Sequence, residues 1–307
     1  MLDSLVWLDI ELRGLREVLD LPDGQIVTAA DEPDEEKRAR VRVFVTGGPI
    51  PVANALLDSL PGLKLVVSIA AGHDGIDLAH CRKRGIRVTS SIGVNAPDVA
   101  DVAVGSLIAL VRQIVAGDRL VRDGGWYPRR VAPTRSIGAL KVGVFGLGSI
   151  GLQIARRIEA FGCAVAWHGP RPKDVTWPRL PSLLALAVTS DVLFVAAPLS
   201  DETRRSVNRE VIDALGPEGY LVNVGRGAMI DEDALIAALR EGRLGGAALD
   251  VFDEEPTPPA RWADVPNTVL TPHLGGVTHE SLRGILTRTA QSVRRGLSGE
   301  LPEVLVA

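Results

Sequence analysis

The sequence predicts an α/β protein built from two parallel-sheet domains, and three observations predict it. Short β-branched runs alternate with segments of helical period from end to end, the pattern of βαβ units whose strands are covered on both faces. A glycine-rich turn, Gly146-Leu147-Gly148-Ser149-Ile150-Gly151, sits between one such run and an amphipathic segment. The 307 residues are enough for two domains, each with a core of its own.

The elements follow in order. Val41 to Val45 and Leu65 to Ile69 read as strands, with a helix over 51–60 between them. The acidic run from Asp31 to Glu36 reads as a solvated loop or a helix start. Further strands are expected at Lys141 to Phe145, Cys163 to Trp167, Val192 to Ala196, Tyr220 to Val224 and Gly246 to Val251. The segment 149–160 places Ile150, Ile154 and Ile158 on one helical face. Two longer helices, 99–116 and 278–297, each follow a turn-rich stretch and are expected to connect the domains; Thr278 is the expected N-cap of the second.

Composition excludes several classes. Hydrophobic residues make up 46% and charged residues 23%, too apolar for a disordered chain. A formal charge of −4 gives no drive toward nucleic acid or an anionic membrane. The only two cysteines, Cys81 and Cys163, rule out a disulfide framework and a thiolate zinc site, and no metal site is expected. No apolar run reaches the ~18 residues of a membrane span, and acidic Asp3, Asp9 and Glu11 argue against a secretory signal. A cytoplasmic protein is expected. The mean hydropathy of +0.17 suggests apolar surface covered by a partner subunit.

The glycine turn carries the first chemistry. Gly146 permits a tight turn, Gly148 lets a pyrophosphate approach the backbone, and Gly151 lets helix and strand pack closely. The next strand ends at Trp167-His168-Gly169-Pro170-Arg171, with Lys173 beyond. An NAD-specific site usually has an acid at that strand end; here Arg171 would instead meet a 2′-phosphate, so NADP is preferred and NAD remains possible. Three more strand ends carry polar residues: Asn223-Val224-Gly225-Arg226-Gly227, Asp250-Val251-Phe252-Asp253-Glu254-Glu255-Pro256 and Thr271-Pro272-His273-Leu274-Gly275-Gly276. In a parallel sheet that edge is where ligands bind.

With these segments, the chain resembles the D-isomer-specific 2-hydroxyacid dehydrogenases. Ala196-Ala197-Pro198-Leu199-Ser200-Asp201-Glu202-Thr203 and Ala228 to Leu235 extend the likeness, which covers residues 64–276 well and is thin before residue 40. The nearest branch looks like the glyoxylate/hydroxypyruvate reductases. The resemblance implies a Rossmann cofactor domain, 98–280, inserted in a flavodoxin-like substrate domain, 1–97 plus 281–307. It implies reduction of a 2-oxo acid to a D-2-hydroxy acid, with Arg226, Glu255 and His273 as the catalytic set. His273 would be the general acid, Glu255 its partner, and Arg226 the grip on the substrate. Ala71 and Gly72 would offer backbone N–H groups to the substrate carboxylate. His73, where aliphatic or aromatic residues are usual, would shape the pocket. Coenzyme contacts are implied for Gly146, Leu147, Gly148, Ser149, Ile150 and Gly151, for His168, Gly169 and Arg171, and for Ala197, Pro198 and Thr203. They are also implied for Val224, Gly225, Asp250, His273 and Gly275, with Asp250 on the nicotinamide carboxamide. Ser90-Ser91-Ile92-Gly93 departs from the Asn-Thr-Pro-Gly type of segment usual at its place. A homodimer through the cofactor domain is implied, with contacts from the helix near 99–116 and from Gly125-Trp126-Tyr127-Pro128. Hydroxyphenylpyruvate- or phosphoglycerate-type dehydrogenases, and a non-catalytic dinucleotide-sensing corepressor, stay open as alternatives.

Overall fold

The computed structural model describes residues 4–306, apart from Glu11, Asp23, Pro49 and residues 127–132. Tyr127 and Pro128 of the expected dimer contact lie outside the described residues. The chain divides into two compact units, 1–95 with 277–307, and 96–276. These divisions fall two and four residues from those expected, because each connecting helix stays whole within one unit.

Unit 1 opens with β1 (Leu5–Leu8), α1 (Leu15–Leu19), β2 (Ile26–Val27) and α2 (Glu35–Arg40). It continues with β3 (Val41–Thr46), α3 (Asn54–Asp58), β4 (Leu65–Ser68), α4 (Leu78–Lys83) and β5 (Arg87–Ser90). All its strands are parallel, in the flavodoxin-like order β2-β1-β3-β4-β5. The apolar runs are continuous because both faces are covered. Trp7, Phe44, Val66 and Val88 pack beneath α3 and α4.

Unit 2 runs α5 (Ala96–Val111), α6 (Ile114–Arg122), β6 (Lys141–Phe145), α7 (Ser149–Ala160), β7 (Ala164–His168) and α8 (Leu183–Val188). Then come β8 (Val192–Val195), α9 (Arg209–Leu215), β9 (Tyr220–Asn223), α10 (Glu232–Arg240), β10 (Gly246–Leu249), α11 (Pro259–Trp262) and β11 (Thr268–Leu270). Its parallel sheet has the order β11-β10-β9-β8-β6-β7. A single-residue parallel bridge from Trp167 to Arg179 stands beside β7, where a Rossmann sheet carries its third strand. The order therefore reverses between β6 and β8, and their C-terminal ends form the crevice where such sheets bind ligands. The fold class is the one expected.

α7 spans the residues its period predicted, with Ile154 and Ile158 fully buried and Ile150 half-buried. Burial of each such side chain contributes about 1.5–3 kcal/mol. The expected helix over 99–116 is instead two helices. Gln113 adopts a left-handed conformation (φ 52°), and α6 leaves α5 at 61°. The apolar face of α5, including Val104, Leu107 and Val111, belongs to the unit's own core. The helix expected over 51–60 shrinks to α3, whose N-cap Ala53 makes no side-chain cap. The turn expected at Ser90 begins one residue later, because Ser90 closes β5 against Ser68.

The last element, α12 (His279–Ser298), returns to unit 1 and is capped by Thr278, whose hydroxyl accepts the Ser281 N–H. It packs on α1, β3 and β4. Gly296 allows the approach: a Cβ there would lie 2.6 Å from Leu65 Cδ2. The tail then closes on β5, with Val306 N–H donating to Val88 O at 2.9 Å.

Candidate active site

The glycine turn is built as its spacing requires. Gly146 has φ 92°, and a Cβ there would overlap the Ala197 backbone at the end of β8. A Cβ on Gly151 would overlap the Gly146 carbonyl, while one on Gly148 would meet nothing. α8, α9 and α10 are capped by Ser182, Asn208 and Asp231, but α7 has Gly148 at its N-cap and no side-chain cap. Open space over an uncapped helix N-terminus suits a pyrophosphate, so the residues present fit a dinucleotide. Ser149 is exposed, Ile150 is half-buried, and Leu147 is turned into the core.

At the end of β7, His168 Nδ1–H donates to Leu180 O at 2.9 Å, and its carbonyl accepts the Gly146 N–H at 2.8 Å. Arg179 pins the following loop. Its Nε and Nη2 donate to Gly169 O at 3.0 and 2.7 Å, and its guanidinium stands 5.8 Å over the Trp167 ring. Arg171 is displayed to solvent beyond this pinned segment. Sequence reasoning missed Arg179 because its partners are backbone carbonyls ten residues back.

At β8 and β9, Thr203 Oγ1 accepts the Ser200 N–H and donates to Pro198 O at 2.8 Å, closing the turn after Ala197. Val224 N–H donates to Val195 O at 3.2 Å. Asn223 brackets the Arg226 turn: Oδ1 accepts the Gly225 N–H at 3.0 Å, and Nδ2 donates to Arg226 O at 3.1 Å. An Asn ending a strand two residues before glycine is the signal that could have found it. Arg226 is half-buried and donates to Gly225 O at 2.8 Å.

The structure brings Glu255 and His273 together. His273 Nδ1–H donates to Glu255 Oε2 at 2.7 Å, which leaves Nε2 for other partners. The other carboxylate oxygen, Oε1, accepts the Phe252 N–H at 2.9 Å. His273 is held in the left-handed region (φ 52°), uncommon for a residue with a Cβ. Asp250, only 4% exposed, supplies the restraint. Oδ1 accepts from Thr271 Oγ1 at 2.6 Å and Leu274 N–H at 2.9 Å; Oδ2 accepts from Gly275 N–H at 2.9 Å; and its carbonyl accepts the His273 N–H at 2.8 Å. This clamp was not visible in the sequence, where Asp250 stood out only as a coenzyme contact. Arg226 adjoins the Glu255 loop through Gly227, where a Cβ would overlap the Phe252 carbonyl.

In unit 1, the loop after β4 is folded on its own carbonyls. Ser68 Oγ reaches Gly72 O at 2.7 Å and Ala70 O at 3.2 Å, and Gly75 N–H donates to Gly48 O at 2.8 Å. Ala71 and Gly72 are half-buried there. His73 is half-buried too, and its Nδ1 is enclosed without a hydrogen-bond partner. His80 pairs with Asp58 at 2.9 Å on the outer helices of the same unit. No group of three metal-ligating side chains occurs among the described residues.

Known proteins resemble this chain along most of its length. The family pattern described as D-isomer specific 2-hydroxyacid dehydrogenase, NAD binding domain, matches residues 104–275. Glyoxylate/hydroxypyruvate reductase A of Arabidopsis thaliana is 42% identical over 87% of this chain and 85% of its own. Hydroxyphenylpyruvate reductase of Plectranthus scutellarioides is 43% identical over 80% of this chain and 79% of its own. The crystal structure of an NADPH-dependent glyoxylate/hydroxypyruvate reductase from Sinorhizobium meliloti, in complex with NADP and malonate, superposes with a TM-score of 0.86 at 32% identity, over 99% of this chain and 97% of that one. A dinucleotide turn, an arginine held between glycines and a histidine–glutamate pair, all on one sheet edge of a Rossmann unit, thus occur in a chain that belongs to the D-isomer-specific 2-hydroxyacid dehydrogenase family.

Proposed function

We propose that this chain reduces a small 2-oxo acid, of the glyoxylate or hydroxypyruvate kind, to the D-2-hydroxy acid, with NADPH preferred over NADH. The observation that carries the reading is the 2.7 Å contact between His273 Nδ1 and Glu255 Oε2 at the sheet edge bearing the glycine turn. When bound, the reduced nicotinamide supplies a hydride to the keto carbon. His273 Nε2–H gives its proton to the keto oxygen, which becomes the hydroxyl. Glu255, on the Nδ1 side, orients the ring. Arg226 holds the carboxylate and keto oxygen in its planar fork, and Ala71 and Gly72 offer backbone N–H groups to the carboxylate. His73 shapes the pocket beside Ala71 and Gly72. Gly146 to Gly151 would hold the coenzyme's pyrophosphate, and Arg171 would meet a 2′-phosphate in place of an acid. The Sinorhizobium meliloti structure with NADP supports that preference.

The chain acts as a homodimer through unit 2. α6 supports this reading: it buries none of its residues and exposes Ile114, Val115, Leu120 and Val121. A cytoplasmic setting agrees with two free, buried cysteines.

The test is turnover of NADPH and NADH with glyoxylate, hydroxypyruvate and hydroxyphenylpyruvate, followed by loss of reduced-nicotinamide absorbance. The likeness to the Plectranthus enzyme makes the third substrate a real competitor. His273→Ala is expected to lower kcat by about 10²–10⁴ while NADPH affinity stays near that of the parent. NADPH binding without turnover of any 2-oxo acid would favour a dinucleotide sensor instead.

A further inference from the structure

One buried carboxylate in unit 2 has no part in the chemistry above. Glu232 opens α10 directly after the N-cap Asp231 and is 5% exposed. A carboxylate at that depth is costly unless its oxygens are paired, and both are. Oε1 accepts the Asp253 N–H at 2.6 Å, and Oε2 accepts the Arg261 Nε–H at 2.8 Å. Arg261 also reaches Asp233 at 2.9 Å, and its hydrogen bond to Glu232 tightens its hold on its own proton. Helix capping explains none of this, since Asp231 already accepts the Ala234 N–H.

The Asp253 N–H is the informative partner. It belongs to the loop after β10, in which the adjacent Phe252 N–H holds Glu255 Oε1 at 2.9 Å. The Phe252 ring stands edge-on to Trp262 of α11, with 5.8 Å between centroids. Gly227, next to Arg226, leaves room for the Phe252 carbonyl. Three elements therefore converge on two residues of backbone, and the Glu255 carboxylate hangs from that stretch.

We propose that Glu232 is a positioning residue: braced by Arg261, its carboxylate fixes the Phe252–Asp253 backbone so that Glu255 meets His273 Nδ1 in a single geometry. It acts through Glu255, and so rests on the reading of Glu255 as the partner of His273.

A double-mutant cycle of Glu232→Ala and Glu255→Ala tests it, with Glu232→Gln alongside. The readouts are kcat, KM for the 2-oxo acid, and NADPH affinity by fluorescence. Glu232→Ala is expected to lower kcat by about tenfold or more, with KM and coenzyme affinity within about twofold of the parent. Glu232→Gln, whose amide oxygen can still accept from Asp253 but whose NH2 cannot accept from Arg261, recovers part of the rate. In the Glu255→Ala background the Glu232→Ala change costs nothing further, because the group it positions is gone. Losses that multiply in the double variant, an unchanged kcat in Glu232→Ala, or a Gln variant no better than Ala would overturn the proposal. An undiminished kcat in Glu255→Ala would overturn both the pairing and the brace; a diminished one with independent Glu232 losses overturns the brace alone. If Glu232→Ala does not fold, Glu232→Asp, too short to span Asp253 and Arg261, takes its place with the same outcomes.

Discussion

At Gly146 and Gly148 the same residue type does two different jobs, and one substitution separates them. Gly146 combines φ 92° with backbone contact to Ala197, whereas Gly148 has ordinary φ and open space where a Cβ would go. Gly146→Ala is expected to cost about 1–3 kcal/mol of stability and to weaken NADPH binding. Gly148→Ala is expected to leave stability within about 0.5 kcal/mol and to weaken only the binding. Urea midpoints and coenzyme titrations of the two variants check this. The glycines, Arg226, Glu255 and His273 were legible in the sequence because each stands in a local motif. Asp250 as a clamp, Asn223 as a bracket and Glu232 as a brace were not. Their partners are backbone N–H and carbonyl groups brought close by folding, and a backbone group has no letter of its own.

Elements were legible where the apolar run was long and its flanks were turn-like. β6 and α7 fell where expected because a strand, a glycine turn and an amphipathic period follow each other without a break. β1, β2 and β5 were missed; they are two to four residues long, and register with their neighbours defines them more than their own composition does, while β11 was read only by its end before Thr271. The bend after α5 escaped notice because apolar residues keep helical spacing across it, from Leu107 through Ile114. Asp191 shows how strand starts are fixed. Its carboxylate accepts from Arg135 Nη1 at 2.9 Å and Lys141 N–H at 2.7 Å, tying the starts of β8 and β6. Burial alone would raise its pKa, but the Arg135 hydrogen bond, the Lys141 N–H and the two nearby cations outweigh it and hold the carboxyl below its usual 3.8. A folded value below the unfolded one means that the contribution is present above pH 3.8 and is lost as pH falls through the folded value. Asp191→Asn should therefore lower neutral-pH stability by about 1 kcal/mol, after allowance for solvent screening. The gap from the parent should close in melting curves taken below pH 3.8.

Across the whole molecule, length and alternating pattern announced two α/β domains, and the inserted arrangement came from the resemblance. A dimer through α6 makes a prediction at this scale. Sedimentation should give twice the 32.6 kDa of one chain, and Leu120→Glu with Val121→Glu should give single chains. A monomeric parent at micromolar concentration would overturn the dimer. The split of unit 1 has a further consequence, for the order of synthesis. A ribosome releases β1 to β5 first, then all of unit 2, and only then α12 and the tail that bonds to β5. Until then Val6, Leu8, Val43, Val45 and Val67 lack the α12 side of their core. The nascent chain can complete its inserted domain while the domain it began with still waits, one sheet face covered only by α1, for α12 to be made.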